Sequence, residues 1–351
     1  MMNLTTLNVF TLTEASISVV IPVYKGGENF RRCLLSLTQY APASTEIIVV
    51  VDGDDHESWR SAQEFGVKVL KLTTNAGPAR ARNIGARAAT GDIIFFIDAD
   101  VAISKEAVSQ VRKAFRSDQS LAALIGSYDD APAESNFLSQ YKNLFHHYTH
   151  QTAREEAFTF WGACGAIRRE VFLFVGGFDE SYRKPCIEDI ELGYRLRQSG
   201  YKLRLCKDLL VKHLKRWDTV SLLRAEFFYR ALPWTELIWR EQQLQNDLNL
   251  GVSSRLSVIL VYCLAGALIG IAWWIGFSAV AAALSLLLLV INFPVYRFFL
   301  HKRGFWFTLR VIPWHWFYFL YGGLAFAIGT VQYLFSSWFS SRPNVSTASS
   351  K

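Results

Sequence analysis

From Leu256 to Leu300 the chain runs 45 residues with a single charged side chain, Arg297. About 20 apolar residues cross a bilayer as a helix. The run is therefore too long for one crossing and predicts two, near 256–276 and 279–299, joined around Gly276-Phe277-Ser278. A third apolar run covers about 311–336 and carries Pro313 and His315, so it reads either as a full span or as a segment partly at the surface. Trp273, Trp274, Trp306, Trp314 and Trp316 lie near the span ends, where amphipathic rings favour the membrane interface. The competing reading is a buried hairpin of a soluble protein. Three such segments without one acidic residue argue against it.

The charge distribution supports this division. From Arg255 onward there are seven Lys or Arg and no Asp or Glu, leaving thirty basic against thirty acidic residues before it. The net charge of +7 thus belongs to the apolar part. A nucleic-acid partner is not expected, because such binding needs excess charge on a folded basic face. The joint near Gly276 lacks Lys and Arg, whereas His301-Lys302-Arg303 through Arg310 holds three. Positive charge is enriched on cytoplasmic loops, so the expectation is a multi-pass membrane protein with its soluble part in the cytoplasm. The first sixteen residues hold no Lys or Arg and no sustained apolar run, so they do not read as a signal peptide. Five scattered cysteines without C-x-x-C spacing predict reduced thiols.

Before the apolar part, strand and helix signals alternate. Ile17–Val23, Glu46–Val51, Val67–Leu72 and Asp92–Ile97 are apolar or β-branched runs, and Asn29–Tyr40, Ser58–Phe65 and Pro78–Ala89 carry helical spacing. Such alternation predicts an α/β fold with a mainly parallel sheet covered on both faces. Ligands in these sheets lie beyond the carboxyl ends of the strands, the edge that Asp52 and Asp98-Ala99-Asp100 would share. In extended backbone, residues i and i+2 face the same way. Asp98 and Asp100 would then project together and hold a divalent cation, Mg²⁺ or Mn²⁺, through oxygen ligands. An ordinary solvated turn is the alternative.

These segments resemble the family 2 glycosyltransferases of GT-A fold over about residues 16–217. The resemblance is carried by Val20-Ile21-Pro22-Val23-Tyr24, Val49-Val50-Val51-Asp52, Asn75-Ala76-Gly77-Pro78-Ala79-Arg80-Ala81-Arg82-Asn83-Ile84-Gly85, the run ending in Asp98-Ala99-Asp100, Gly162 and Gly165 before Arg168-Arg169, Gly176-Gly177-Phe178-Asp179-Glu180, and Glu188-Asp189-Ile190-Glu191-Leu192-Gly193-Tyr194-Arg195-Leu196. It implies a nucleotide-sugar donor, for which Pro22, Tyr24, Asp52, Asn75, Gly77, Arg82 and Asp98 are the candidate contacts. It implies a metal at Asp98 and Asp100, with His213 where some relatives place a third ligand. It makes Asp189 the general base, with Glu188 beside it to orient or bind acceptor. Two departures stand out. Gly53 occupies a place where the family often has a second acid, and His213-Leu214-Lys215-Arg216-Trp217 has His where processive synthases carry Gln in Q-x-x-R-W.

Gly162, Gly165, Arg216 and Trp217 are the candidate acceptor contacts. Arg82 reads either as a phosphate contact or as a solvated arginine on an Arg-rich helix. Acids in the first turn of a helix are also favoured by its dipole, which gives Glu188 and Asp189 a second explanation. His146, His147 and His150 include an i, i+4 pair, but no further ligand is spaced with them. The organisation expected is a tail over 1–15, a GT-A domain over 16–215, amphipathic helices over 216–250, a membrane region over 251–340 and a tail over 341–351. Between Arg216 and Arg240, aromatic and basic residues interleave as in helices lying on anionic lipid, or as in helices packed on the soluble core.

The expected activity is inverting, metal-dependent transfer of a hexose from a nucleotide sugar, UDP-linked by preference, to a membrane-associated acceptor such as a lipid or polyprenyl phosphate. Two rivals remain. A processive polysaccharide synthase would make long polymer, and a nucleotide-sugar-binding membrane partner without chemistry would bind donor but not transfer it.

Overall fold

The computed structural model describes residues 15–242 and 248–340. The expected tails over 1–15 and 341–351, apart from Ala15, lie outside the described residues, as do most of the segment judged for a signal peptide and 243–247 of the bridging region.

Eight strands form one sheet: β1 (Ile17–Val23), β2 (Glu46–Val51), β3 (Lys68–Lys71), β4 (Ile93–Ile97), β5 (Val101–Ile103), β6 (Leu121–Tyr128), β7 (Cys164–Arg168) and β8 (Lys202–His213). Their order is β3-β2-β1-β4-β7-β6-β8-β5. The first four in that order are parallel, and β7 runs antiparallel to both β4 and β6. The parallel half matches the sequence expectation, and β7 and the edge beyond it lie in the region the sequence left unassigned.

Alternation along β1 explains the layering. Val19, Ile21 and Val23 face one core with Phe30, Cys33, Leu34 and Leu37 of α1 (Gly27–Tyr40), Ala62 of α2 (His56–Glu64), and Val108, Val111 and Phe115. Val20 faces the other core with Ala79, Ala81 and Ala86 of α3 (Pro78–Ala88). There Phe96 packs among Phe160, Phe172 and Phe178, with centroids 5.2–6.1 Å apart. Helices α4 (Ala107–Ser117), α5 (Phe137–Thr152), α6 (Arg169–Phe174) and α7 (Glu188–Gln198) complete this half.

The bridge is a continuous helical path: α8 (Thr219–Arg224), a π-helical turn over Ala225–Ala231, and α9 (Leu232–Glu241). Asp218 and Ser221 cap its start reciprocally. Leu237 is buried against Ile187, Ile190 and Tyr194, while Trp239 Nε1 donates to Thr330 Oγ1 at 2.9 Å. The bridge is thus wedged between α7 and the C-terminal helix, and Val220 and Phe228 remain exposed.

Four helices follow: α10 (Val252–Gly270), α11 (Phe277–Ile291), α12 (Phe293–Arg303) and α13 (Phe305–Ser340). Val252–Gly270 and Phe305–Trp338 are each long and apolar enough to cross a membrane, and α11 with α12 makes a third candidate if the bent pair is one span. The straight span expected over 279–299 is broken at Asn292, where the pair bends by 66°. Pro294 supplies the cause, since it lacks an N–H and its ring obstructs the preceding turn. Asn292 Nδ2 fills part of the gap by donating to Leu288 O at 3.0 Å and to Ser257 Oγ at 2.9 Å. Pro313, by contrast, lies inside the unbroken α13.

Helix α5 joins the halves. Tyr141 and Leu144 pack with Val295, Tyr296, Phe299 and Val311. Lys302 Nζ reaches Asp130 Oδ2 at 2.5 Å, and Arg303 Nε donates to Gln140 Oε1 at 2.8 Å.

Candidate functional site

Strand β4 stops at Ile97, so Asp98 and Asp100 stand in the turn before β5 rather than in extended backbone. The turn is tied on one side by Asp98 N to Ala163 O at 3.4 Å and on the other by Leu214 N to Asp100 O at 2.8 Å. The two carboxylates consequently take different partners, which the alternation argument did not anticipate.

Asp98 Oδ1 accepts from Arg82 Nη2 at 2.6 Å. Arg82 Nη1 reaches Glu188 Oε1 at 2.8 Å, and Glu188 Oε2 accepts from Cys186 N at 2.9 Å. Arg82 is buried, not solvated, and two carboxylates occupy its guanidinium. Gly162 makes room for it: a Cβ there would lie 2.9 Å from Arg82 Cζ.

Asp100 Oδ2 lies 3.6 Å from His213 Nε2. Asn143 Oδ1 is 2.8 Å from His213 Nδ1 and orients the imidazole so that Nε2 faces Asp100. The imidazole stacks on Tyr128 with centroids 4.4 Å apart. Burial works against charge on Asp100, yet His213 and Lys215 together hold its carboxyl below the ordinary range.

Asp189 opens α7 with Oδ2 accepting from Gly162 N at 3.0 Å and Oδ1 from Ile190 N at 2.8 Å. Burial, reinforced by the neighbouring Glu188 charge, pushes its carboxyl up to about 6. That value suits a group that must take a proton near neutrality.

At the end of β2, Asp52 is buried, and its two oxygens accept from Ala76 N at 2.8 Å and Gly77 N at 2.9 Å. It braces the loop that carries the exposed Asn75. Gly77, with φ +93°, brings this loop against Arg183, whose carbonyl oxygen a Cβ would meet at 2.4 Å. Tyr24 is exposed at the sheet edge, whereas Pro22 is buried within β1 opposite Val50. Asp54, the acid that follows Gly53, pairs with Lys71 at 3.1 Å.

The expected acceptor group does not gather. Gly165 is interior to β7, between Phe96 and Ile125, and a Cβ would come 2.4 Å from Trp161 O. Close packing against Trp161 and Phe160 accounts for the glycine. Trp217 is buried beneath Lys215, whose Nζ lies 4.2 Å from the ring centroid, while Arg216 points outward to Glu134 at 3.3 Å. His147 and His150 bind the carbonyls of Tyr128 and Gly126 at 2.7 and 3.0 Å, so they hold α5 on β6. Among the described residues no three His, Cys, Asp or Glu side chains form a ready-made metal cage.

Asn143 was not foreseen, because an asparagine on a helix carries no signal until β8 is known to place His213 beside it. Arg230 was noticed only as one of several basic residues in the bridge, yet its charge acts on Asp189.

A doubly covered sheet with β7 inserted, an acid-rich turn after β4 and acids opening α7 make up a fold of GT-A type. Residues 18–174, a little under half of the chain, match the family described as Glycosyl transferase family 2. Its fold is similar to the mannosyltransferase PcManGT of Pyrobaculum calidifontis, solved with GDP-Man and Mn²⁺, at TM-score 0.60 and 16% identity over 90% of this chain and 88% of that one. A glycosyltransferase of Haemophilus influenzae is 25% identical over 61% of this chain and 76% of its own length. The glycosyltransferase YibD of Escherichia coli is 38% identical over 24% of this chain and 26% of its own length. The pre-mycofactocin glycosyltransferase of Mycobacterium tuberculosis is 28% identical over 62% of this chain and 46% of its own length. The chain thus spans less than half of the latter two relatives.

Proposed function

We propose that this protein is an inverting, metal-dependent hexosyltransferase that uses a nucleotide sugar, UDP-linked by preference, and an acceptor presented at the cytoplasmic face of a membrane. The observation that carries the reading is the convergence of Asp98, Asp100, His213 and Asp189 at one edge of the sheet, beside a segment with helices long enough to span a bilayer.

The donor set fits a hard divalent ion. Asp100 offers a carboxylate, and a neutral His213 with Nδ1 held by Asn143 would offer Nε2. Two protein ligands suffice where substrate phosphates supply the others. Bound there, the ion would supply Lewis acidity to the departing diphosphate. Arg82 would hold Asp98 and Glu188 in place rather than touch phosphate, because both are already its partners. Tyr24 and the Asp52-braced loop would bound the nucleotide. Asp189 would take the proton from the acceptor oxygen as that oxygen attacks the anomeric carbon. A single base and a single displacement give inversion.

The test is nucleotide release by membranes containing the full chain, from UDP-sugars and GDP-mannose, with Mn²⁺, Mg²⁺ or EDTA and added lipid extract. Metal-dependent release from one donor, with a singly glycosylated lipid product, is expected. Long polymer would favour the processive synthase. Donor binding without release across lipid and soluble acceptors would favour the non-catalytic partner.

A further inference from the structure

A cavity of about 310 Å³ lies where the C-terminal half of α5 meets the start of α10, the break between α11 and α12, and α13. That volume is at the lower end of small-ligand sites. His315 lines it, 1% exposed and packed against Phe145 and Phe319 with centroids 5.0 and 4.5 Å away. Neither of its ring nitrogens has a hydrogen-bond partner among the described residues. Leaving buried polar atoms unpaired is costly, so the imidazole calls for a polar occupant. A neutral imidazole has one donor and one acceptor. A phosphate oxygen serves only the donor, whereas a hydroxyl serves either nitrogen.

The rest of the wall suits an anion. Helix α10 starts here with Gly251 as its cap residue, which brings no side chain, and Ser253 and Ser254 of its first turn line the cavity. A helix N-terminus carries partial positive charge and N–H groups that bind phosphate. Arg154 is exposed on the rim, Thr149 and Thr152 add hydroxyls, and no described lining residue is acidic. Val252–Gly270 is long and apolar enough to span a membrane and begins at this cavity, at the level of lipid headgroups rather than of acyl chains. Helix α5 turns Asn143 toward His213 and Tyr148 toward the cavity, whose wall holds none of the acids or histidines of the reaction edge.

We propose that this cavity binds the headgroup of an anionic, hydroxyl-bearing phospholipid of the phosphatidylglycerol kind as a fixed component that takes no part in any reaction. Its phosphate lies between Arg154 and the N-terminus of α10, and a headgroup hydroxyl meets His315. The proposal is independent of the transferase reading. Arginine grips phosphate through charge-assisted hydrogen bonds. A choline headgroup would instead bring a second cation beside Arg154 and no hydroxyl for His315. The bound headgroup touches α5, α10, α12 and α13 at once and braces the sheet domain on the apolar helices. A ligand that binds only the folded state stabilises it.

The full chain, delipidated in a neutral detergent, is titrated with phosphatidylglycerol, phosphatidylcholine, glycerol 3-phosphate or inorganic phosphate. Native mass spectrometry counts the bound molecules, and the melting temperature is followed in parallel. One phosphatidylglycerol per chain is expected to bind about tenfold or more tightly than phosphatidylcholine and to raise the melting temperature. Arg154→Gln and His315→Phe should each weaken that binding about tenfold, the second while keeping an aromatic ring between Phe145 and Phe319. Arg224→Gln, which removes an exposed arginine of the bridge, should leave it unchanged. Arg154 is exposed as well, so its variant tests the site even where His315→Phe does not fold. Equal binding of phosphatidylcholine, unchanged affinity in Arg154→Gln, or equal weakening by Arg224→Gln would overturn the proposal and leave water as the partner of His315. An equal rise in melting temperature with glycerol 3-phosphate or inorganic phosphate would overturn the lipid and assign the cavity to a soluble phosphate.

Discussion

Arg82 Nη2 stands 2.6 Å from Asp98 Oδ1, and the same guanidinium reaches Glu188 at 2.8 Å, so one buried cation ties the turn after β4 to the start of α7. The acids of that turn and of the α7 start are thereby held by one side chain. Removing one partner from a buried ion pair is costly because the other charges stay behind. Arg82→Ala should lower stability by about 3–5 kcal/mol, measured by denaturant unfolding in detergent. Loss of activity with unchanged stability would instead assign Arg82 to the substrate.

Asp189 gives a pH signature. A general base works deprotonated, and this carboxyl sits at about 6 because of burial and Glu188. Turnover at saturating substrate should therefore fall as pH drops through about 6 and level off above it. Asp189→Asn should lose about 10²–10⁴ in rate while retaining donor affinity. A variant that keeps the wild-type pH limb would remove Asp189 from the role.

His213 and Asn143 are coupled through one hydrogen bond of 2.8 Å. Groups that orient a metal-ligating histidine typically contribute 10–100-fold in metal affinity. Asn143→Ala should raise the Mn²⁺ concentration for half-maximal activity by about that factor, and His213→Ala by at least as much. Titration of activity against metal, with donor saturating, reads both. An unchanged half-maximal concentration in His213→Ala would strike the histidine from the ligand set.

Gly165 separates packing from recognition. A Cβ there would lie 2.4 Å from Trp161 O and 2.5 Å from Phe160 Cζ. Overpacking of this kind costs about 1–3 kcal/mol. Gly165→Ala should lower the melting temperature and leave the KM for acceptor in the surviving protein unchanged. A raised acceptor KM at constant stability would restore the recognition role.

The parallel half of the sheet was legible because β-branched runs and helical spacing are local signals, and β1 through β4 fall where those signals lie. The acids were legible as a set of residue types. Their pairing was not, since Arg82 meets Glu188 across 106 positions of chain and only the fold brings them together. Gly165 looked like a site glycine because close backbone packing and ligand approach ask for the same missing side chain. The break at Asn292 follows from Pro294, but hydropathy averages over a proline and so registered one span. Arg230 was hidden among basic neighbours, because a π-helical turn shifts which residues share a face and periodicity cannot announce it.

Helix α5 touches each of these parts. Asn143 orients His213, Lys142 meets Glu226 beside Arg230, and Tyr141 and Leu144 rest on α12 and α13. One helix of sixteen residues therefore meets the His213 end of the sheet, the Arg230 cluster and the apolar helices. In the proposed enzyme that arm would fix how far the reaction edge stands from the apolar helices, and with it the depth at which an acceptor oxygen must be presented.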